Sequence, residues 1–408
     1  MSTSKGRAMK KILSTTIAVA LGAGNLLATG FESRQFIPYF NMRVDQGGYL
    51  PDKGAFFTGA NMNMQAGLLA KVNDRHSFFG LYNLDFEGQA FQFPDTQEFD
   101  SKSQAHLFNL EYRWKIDDHW RVRPGIALGK TYTQTAAAEV WGHGLYDDKS
   151  VGYQLAGDYD FTLWRKKATA TAMISRYTLK FPNYTDLLSQ FRQESANTAL
   201  AGGEKNQDLV EYGLSLQQAP WRVKLRFNNV DFTKEKIIQS NGTYGGDKQA
   251  DSNVILSAAY DVKLWIFESS PELSYQIHHS NQNFLLFLSA TDATPVYASN
   301  YYSYKETALN IPLFINLTEK WALSGGFLWR GRAYDKRSPL NESEVFKSGR
   351  QRDDMEVLSA GLRKRMNEVS ALFLTYSLTR ATSNNKFERY LPSNYTGQGI
   401  SVGYQLTY

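Results

Sequence analysis

Residues 208–230 have the sequence DLVEYGLSLQQAPWRVKLRFNNV, which holds two runs with an apolar residue at every second position. The apolar positions are Val210, Tyr212, Leu214 and Leu216 in the first run, and Trp221, Val223, Leu225 and Phe227 in the second. A period of two places successive side chains on opposite faces of a β-strand. The stretch therefore predicts an antiparallel hairpin that turns at 218–220 and has one apolar and one polar face.

The same alternation continues along most of the chain. It predicts strands of roughly 10 to 15 residues, longer than the strands of globular proteins usually are. The predicted strands are 35–43, 58–72, 76–89, 103–116, 119–133, 149–162, 165–179, 206–218, 221–234, 251–265, 268–280, 300–317, 320–335, 351–366, 368–382 and 396–408. We therefore predict an all-β fold, a transmembrane antiparallel up-and-down β-barrel of about 16 strands, within a range of roughly 14 to 18.

The predicted connections alternate between tight turns and long loops. The tight turns include 73–75, 117–119, 218–220, 318–319 and 367–368, and the long loops lie near 44–57, 90–102, 134–148, 180–205, 235–250, 281–299, 336–350 and 383–395. Tryptophans lie beside the tight turns, namely Trp114, Trp120, Trp221, Trp265 and Trp321. Short periplasmic turns, long extracellular loops and an interfacial aromatic girdle are typical of outer-membrane barrels. The chain thus resembles Gram-negative outer-membrane β-barrel proteins of the porin type, which implies location in the bacterial outer membrane.

The last eight residues, SVGYQLTY at 401–408, form one more alternating run that ends in an aromatic residue. This run resembles the terminal-strand signature of outer-membrane proteins, and the matching residues are Gly403, Tyr404, Leu406 and Tyr408. The resemblance implies that these four residues are an assembly signal recognised by the barrel assembly machinery. It also implies that outer-membrane lipid and lipopolysaccharide surround the folded chain.

The N-terminal segment has the features of an export signal. Met9-Lys10-Lys11 is followed by ILSTTIAVALGAGNLLATG, an apolar stretch rich in small residues. Ala28 and Gly30 supply the small residues expected before a cleavage site. We predict a signal peptide at 1–30 and an outer-membrane β-barrel domain at 31–408. No later window holds the roughly 18 consecutive apolar residues that a membrane-spanning helix needs.

The composition excludes several classes of site. The 408 residues include no cysteine, which rules out disulfides, thiolate metal ligands, a cysteine nucleophile and a lipoprotein anchor. The 45 basic residues are nearly balanced by 40 acidic ones, so we expect no nucleic-acid partner. Aromatic residues make up 14% and prolines number only 11, which suits long uninterrupted strands. No motif for a metal or a cofactor is present, and we predict neither.

If the apolar positions face lipid, the polar positions face a lumen. The predicted pore-lining residues are Arg113, Arg121, Arg123, Arg222, Lys224, Arg226, Arg330, Arg332, Arg363, Arg365, Asp158, Asp160 and Glu211. Rows of like charge in a water-filled pore favour ions of the opposite sign, and the basic residues are in excess. We predict a pore for small hydrophilic or anionic solutes. The alternative for these charges is that basic and acidic walls pair and only stabilise the barrel.

Two further functions follow from short resemblances. The final hairpin, with YSLTR at 376–380 and Ser383-Asn384, is similar to the terminal hairpins of barrels used in exopolysaccharide export. This implies a conduit that works with periplasmic partners, and homo-oligomers are compatible with either function. His278-His279-Ser280-Asn281 resembles the His-x-Ser-Asn segment of outer-membrane phospholipase, although Gln282 replaces the following glycine. The alternation places His278 on the lumen side, so we predict no catalytic residue and no enzyme.

Overall fold

The structure is a computed structural model, and it describes residues 36–53, 56–88, 101–135, 139–184, 203–286, 296–387 and 393–408. The predicted signal peptide at 1–30 lies outside the described residues. The strands are β1 (Phe36–Pro51), β2 (Phe57–Lys71), β3 (His76–Gly88), β4 (Lys102–Lys115), β5 (Trp120–Gln134), β6 (Asp148–Leu163), β7 (Lys166–Lys180), β8 (Gln207–Gln218), β9 (Trp221–Ile238), β10 (Tyr244–Tyr260), β11 (Val262–Leu264), β12 (Phe267–Ser269), β13 (Glu272–Ser280), β14 (Phe284–Leu286), β15 (Val296–Ala298), β16 (Tyr304–Asn316), β17 (Trp321–Tyr334), β18 (Arg352–Arg365), β19 (Ser370–Ser383) and β20 (Tyr395–Thr407).

The sheet closes on itself. Each barrel strand pairs antiparallel with its neighbours along the chain, and β1 pairs with both β2 and β20. Strands β10 and β11 form one barrel strand, β12 and β13 form the next, and β14 and β15 form a small separate hairpin. The described residues therefore make a closed antiparallel up-and-down barrel of sixteen strands, which confirms the predicted fold class. No helix in the described ranges is long and apolar enough to span a membrane.

The outer wall of the barrel is apolar. In one row across β8, β9, β10 and β13, Leu214 lies opposite Leu225, Leu225 opposite Leu256, and Leu256 opposite Tyr275. All four side chains are more than a third exposed. Such a continuous apolar surface is unfavourable in water but matches the lipid-facing band of a transmembrane barrel.

The short turns gather exposed tryptophans at one end of the barrel. Trp114, Trp120, Trp265 and Trp321 are all exposed, as is Trp164, which the sequence analysis did not include in the girdle. An indole combines an apolar ring with a polar N–H, so it is favoured at the membrane interface. Trp164 and Arg165 have φ angles of 47° and 63°, the left-handed pair that a two-residue type I′ hairpin requires.

Most predicted strands match the observed bounds to within two residues, but four do not. The ninth ends at Ile238 rather than 234, the tenth begins at Tyr244 rather than 251, and the twelfth begins at Tyr304 rather than 300. The first differs most. The alternation predicts an end at 43, whereas β1 continues to Pro51. Gly47 and Gly48 were assigned to a loop, and the structure shows why glycine is needed inside the strand. A Cβ on Gly47 would lie 2.3 Å from the carbonyl oxygen of Ile400, and one on Gly48 would lie 2.5 Å from the ring of Phe56.

Candidate functional site

The strand register places every predicted pore-lining residue on the face opposite the lipid. On β5 and β6, the outward pair Trp120 and Tyr159 is followed by the inward pair Arg121 and Asp158. The same alternation turns the remaining positions inward, namely Arg113, Arg123, Asp160, Glu211, Arg222, Lys224, Arg226, Arg330, Arg332, Arg363 and Arg365. The contacts of these side chains divide them into a paired and an unpaired group.

The strongest paired group lies on β4, β5 and β6. Arg123 donates from Nη1 to Oε2 of Glu111 at 3.1 Å and from Nη2 to Oδ1 of Asp158 at 3.0 Å. Thr171 donates to the same Asp158 oxygen at 2.8 Å. The side chains of Glu111 and Asp158 are only 11% and 8% exposed, against 25% for Arg123. Arg123 therefore joins two shielded carboxylates that belong to different strands.

Further contacts extend this group to three arginines and three carboxylates. Arg121 donates to Oδ1 of Asp160 at 3.0 Å, and Arg113 donates from Nε to Oε1 of Glu111 at 2.7 Å. We call the six residues the β4–β7 ion cluster, because Thr169 and Thr171 of β7 also donate to its aspartates. The cluster is defined as Glu111, Arg113, Arg121, Arg123, Asp158 and Asp160. Its formal charges cancel, so it stabilises the wall and adds little net field to the lumen.

A second paired group lies on β16 and β17. Arg332 donates from Nε to Oε2 of Glu306 at 2.7 Å, and its guanidinium carbon lies 4.1 Å from the ring centre of Tyr304. Arg330 lies at the edge of the group, with Nε 3.9 Å from the same Glu306 oxygen. Glu306 is almost fully buried. The sequence analysis missed it, although its parity within the predicted strand 300–317 already placed it on the lumen side.

The unpaired group is basic. Lys224 lies between Ser215 and Ser257 on the neighbouring strands, and Arg226 lies between Gly213 and Ile255. Among the described residues, neither side chain forms a salt bridge, and the same holds for Arg363 and Arg365 on β18. Arg222 is intermediate, because its Nη2 atom lies 3.4 Å from Oδ1 of Asp261. Among the described residues, the predicted lumen charges therefore divide between strands that pair them and strands that leave them without a salt bridge.

Glu211 lies close to this basic row without pairing to it. The amide of Asn228, in the orientation that satisfies both of its ends, donates to Oε2 of Glu211 at 3.0 Å. Asn228 stands directly opposite Glu211, while Arg226 stands opposite Gly213. The Glu211 carboxylate therefore accepts a hydrogen bond from Asn228. It stands diagonally to Arg226 and so reduces the positive field of the basic row only in part.

His278 and Ser280 both lie on the lumen side of β13, near the long-loop end. The Nδ1 atom of His278 is 2.8 Å from Oδ1 of Asn253, and its ring stacks on Tyr304 with centroids 4.8 Å apart. The hydroxyl of Ser280 accepts the backbone N–H of Gln282 at 3.2 Å. In the described ranges, no group of three or more His, Asp or Glu side chains is arranged to hold a metal ion.

The predicted assembly signal lies at the seam where the barrel closes. The backbone N–H of Tyr408 donates to the carbonyl oxygen of Phe40 at 2.7 Å, and the N–H of Phe40 donates to the carbonyl oxygen of Tyr408 at 2.9 Å. A Cβ on Gly403 would lie 2.1 Å from the ring of Phe373 and 2.6 Å from the carbonyl oxygen of Val44, so only glycine fits. Tyr404 and Tyr408 are exposed on the outer wall, and Leu406 lies between them on the same face.

No family model and no curated protein matches the sequence. The similar solved structures are outer-membrane proteins. A bacterial polysaccharide outer membrane secretin aligns with a TM-score of 0.42 and 12% identity, over 90% of this chain and 97% of the other. OmpT of Vibrio cholerae, in its trimer form, gives 0.44 and 10%, over 92% and 100%. OccK8 of Pseudomonas aeruginosa gives 0.42 and 9%, over 91% and 98%.

These likenesses concern the fold alone. The closed barrel, its apolar outer wall and its tryptophan girdle place the chain in the bacterial outer membrane, as the sequence analysis predicted.

Proposed function

We propose that the chain is an outer-membrane pore that passes small hydrophilic solutes and prefers anions. The proposal rests on one observation, the row of Lys224 and Arg226 on the inner face of β9, for which the described part of the chain supplies no carboxylate partner. A barrel of about sixteen strands encloses enough space for an aqueous channel. Both side chains are exposed, with serine on both sides of Lys224 and glycine on one side of Arg226, so they can extend into that water.

The size of the effect follows from Coulomb's law. An anion passing about 7 Å from each of the two charges gains roughly 0.6 kcal/mol from each in water. Before screening, the row would enrich anions about sevenfold over neutral solutes. Salt reduces this factor because the Debye length falls to about 10 Å at 0.1 M. The preference should therefore be modest and largest at low ionic strength.

Planar-bilayer recordings of the purified protein in a salt gradient test the proposal. We expect the reversal potential of Lys224→Gln/Arg226→Gln to move toward that of a non-selective pore. A matched control is Lys166→Gln/Lys320→Gln, which removes the same charge at the short turns. An unchanged reversal potential in the β9 variant, or the absence of any conductance in the wild type, would contradict the proposal.

A second candidate is a conduit for an acidic sugar polymer, and it rests on aromatic rings that face the lumen. The guanidinium of Arg43 lies 4.0 Å from the ring centre of Phe373, and that of Arg113 lies 5.0 Å from Phe79. The rings offer a stacking surface for a sugar. Arg43 and Arg113 already pair with Asp45 and Glu111, so an acidic sugar would bind by exchanging with those carboxylates. Such a conduit would work with periplasmic partners and could assemble as a homo-oligomer.

Blocking experiments distinguish the two candidates. An export conduit should be blocked by acidic oligosaccharides added on the short-turn side, and Phe373→Ala should weaken the block. Neutral oligosaccharides of the same length are the control for size. Equal block by acidic and neutral oligomers, or no effect of Phe373→Ala, would remove the export candidate and leave the small-solute pore.

We also propose that His278 and Ser280 have a structural role and that the chain is not an enzyme. The contacts of His278 with Asn253 and Tyr304 support this, because they hold the imidazole without the serine hydroxyl. A phospholipid hydrolysis assay should show no activity above that of empty vesicles. Hydrolysis by the wild type that disappears in Ser280→Ala would overturn this proposal.

A further inference from the structure

Three lysines form one row on the outer wall near the long-loop end. Lys130 of β5 stands directly opposite Lys149 of β6, and Lys149 stands opposite Lys180 of β7. All three are exposed. Lys130 and Lys149 lie two residues along their strands from Leu128 and Val151, which are on the outer face. The lysine side chains therefore also point away from the lumen. Like charges directly opposite each other on adjacent strands are destabilising unless something neutralises them.

The nearby carboxylates do not neutralise this row. Asp147 is buried, and its carboxylate accepts the backbone N–H groups of Thr133 at 2.7 Å and Gly144 at 3.2 Å. Asp208 accepts Thr178 at 2.6 Å and lies 3.5 Å from Arg176, one row nearer the membrane centre. Among the described residues, none of the three lysines forms a salt bridge.

Asp148 and Glu139 also point elsewhere. Asp148 stands opposite Thr131 on the inner face of the wall. Glu139 accepts the hydroxyl of Thr135 at 3.0 Å and the backbone N–H of Leu145 at 3.3 Å. Within the described ranges, three adjacent positive charges therefore lie together on the outer surface without a carboxylate partner.

The row lies where the apolar band ends. Along β5, Lys130 is ten residues from Trp120, which belongs to the tryptophan girdle. At about 3.4 Å per residue and a tilt near 40°, ten residues span roughly 26 Å, close to the 25 Å height of a barrel's lipid-facing band. On β5 and β6 the wall beneath the row is apolar, with Leu128, Val151 and Tyr153 all exposed, whereas β7 carries Thr178 and Arg176 there. The lysines thus face the headgroups of the outer leaflet.

Aromatic residues border the row on one side. The Nζ atom of Lys130 lies 4.4 Å from the ring centre of Tyr132, and that ring stacks on Trp141 at 5.9 Å. On the far side of Trp141, Lys102 lies 4.8 Å from its ring centre. The stacked rings thus bring a fourth lysine to one side of the row.

We propose that Lys130, Lys149 and Lys180 form a binding site for the phosphorylated headgroup of an outer-leaflet lipopolysaccharide. The lysines would bind the phosphate groups, and the apolar wall beneath them would contact the acyl chains. Charge complementarity and continuity with the apolar band favour a lipid over a soluble anion, because only a lipid satisfies both surfaces. The site is independent of any pore activity.

The test measures binding of purified lipopolysaccharide to the full-length barrel in detergent micelles, so that insertion of the apolar wall into a bilayer does not contribute. Lys130→Gln/Lys149→Gln/Lys180→Gln should bind on the order of 100-fold more weakly than the wild type, at about fivefold per lysine. The matched control, Lys166→Gln/Lys320→Gln/Lys364→Gln, removes three exposed lysines at the opposite end and should stay within about twofold. If the triple variant does not fold, Lys149→Gln alone should lose about fivefold.

Two more arms identify the ligand. Lipopolysaccharide treated with phosphatase should bind the wild type about as weakly as intact lipopolysaccharide binds the triple variant. Inorganic phosphate alone should give no thermal stabilisation comparable to that given by lipopolysaccharide. Equal binding by the triple variant and the wild type would overturn the site. Full stabilisation by inorganic phosphate would overturn the lipid assignment.

Discussion

The replacement Arg123→Gln should destabilise the barrel and leave its ion selectivity nearly unchanged. Arg123 bridges Glu111 and Asp158, two carboxylates on different strands that are each about one-tenth exposed. Glutamine keeps most of the volume and can donate one neutral hydrogen bond. It removes the charge that both carboxylates share, so the β4–β7 ion cluster changes from neutral to negative.

The expected loss can be worked from these contacts. Removing one partner of a buried ion pair costs about 3–5 kcal/mol because a charge stays behind without compensation. Here the cost is smaller, because Arg113 still lies 2.7 Å from Glu111 and Arg121 lies 3.6 Å from Asp158. Arg123 is also a quarter exposed, so water can replace part of its contribution. We therefore expect a loss of about 2 kcal/mol in the free energy of unfolding.

Urea unfolding in lipid vesicles at neutral pH, followed by tryptophan fluorescence, measures this loss. Lys224→Gln/Arg226→Gln provides the opposite control, since it should change stability by less than about 0.5 kcal/mol and change the reversal potential instead. In a double-mutant cycle, Arg123→Gln and Glu111→Gln should be coupled by about 1 kcal/mol or more. An Arg123→Gln barrel with wild-type stability and an altered reversal potential would refute the division into paired and unpaired charges.

Three further predictions concern assembly, topology and pH. Leu406→Ala/Tyr408→Ala should lower the amount of heat-modifiable barrel in the outer membrane more than it lowers export, and normal barrel levels would contradict the seam role. An epitope inserted near 242 should be labelled on intact cells and one near 118 should not; labelling at 118 would reverse the topology. Asp117 accepts two backbone N–H groups of its turn at 2.7 Å, which lowers the pKa of its carboxyl. The charge-dependent part of its contribution to stability is present above the unfolded pKa of about 4 and is lost as pH falls through the folded value. Asp117→Ala should therefore lower the free energy of unfolding more at pH 7 than in strong acid, where the protonated carboxyl still accepts neutral hydrogen bonds.

The sequence predicted the strands well because the alternation is local. It allowed some cross-strand neighbours to be predicted and not others, depending on whether a tight turn or a long loop joins the two strands. Strands β8 and β9 are joined by a tight turn, so their register could be counted from the sequence, and Lys224 falls opposite Ser215. Strands β5 and β6 are joined by a long loop that fixes no register. A slip of one residue turns every side chain to the other face, so the pairing of Arg123 with Asp158 needed the structure.

The first strand is predicted too short because glycine lies inside it. The pair at 47–48 resembles a turn in composition, yet both residues lie inside β1. Their function becomes visible only once β20 and residue Phe56 are placed against them. The low strand propensity of glycine describes the isolated chain. In the folded barrel, neighbouring strands approach so closely at these positions that a residue without a side chain is needed.

The unpaired cations on the two faces of the wall differ in what can neutralise them. Inside, Lys224 has serine on both sides, and Arg226 has glycine on one side, so water and mobile counterions reach both side chains. A mobile counterion beside these charges can be replaced by the next one, and a pore that prefers anions requires such replacement. Outside, Lys149 lies between two lysines at the edge of the apolar band, where bulk water is limited and a fixed lipid phosphate can remain bound. The same chemical group can therefore bias transport on one face of the barrel and hold a lipid on the other.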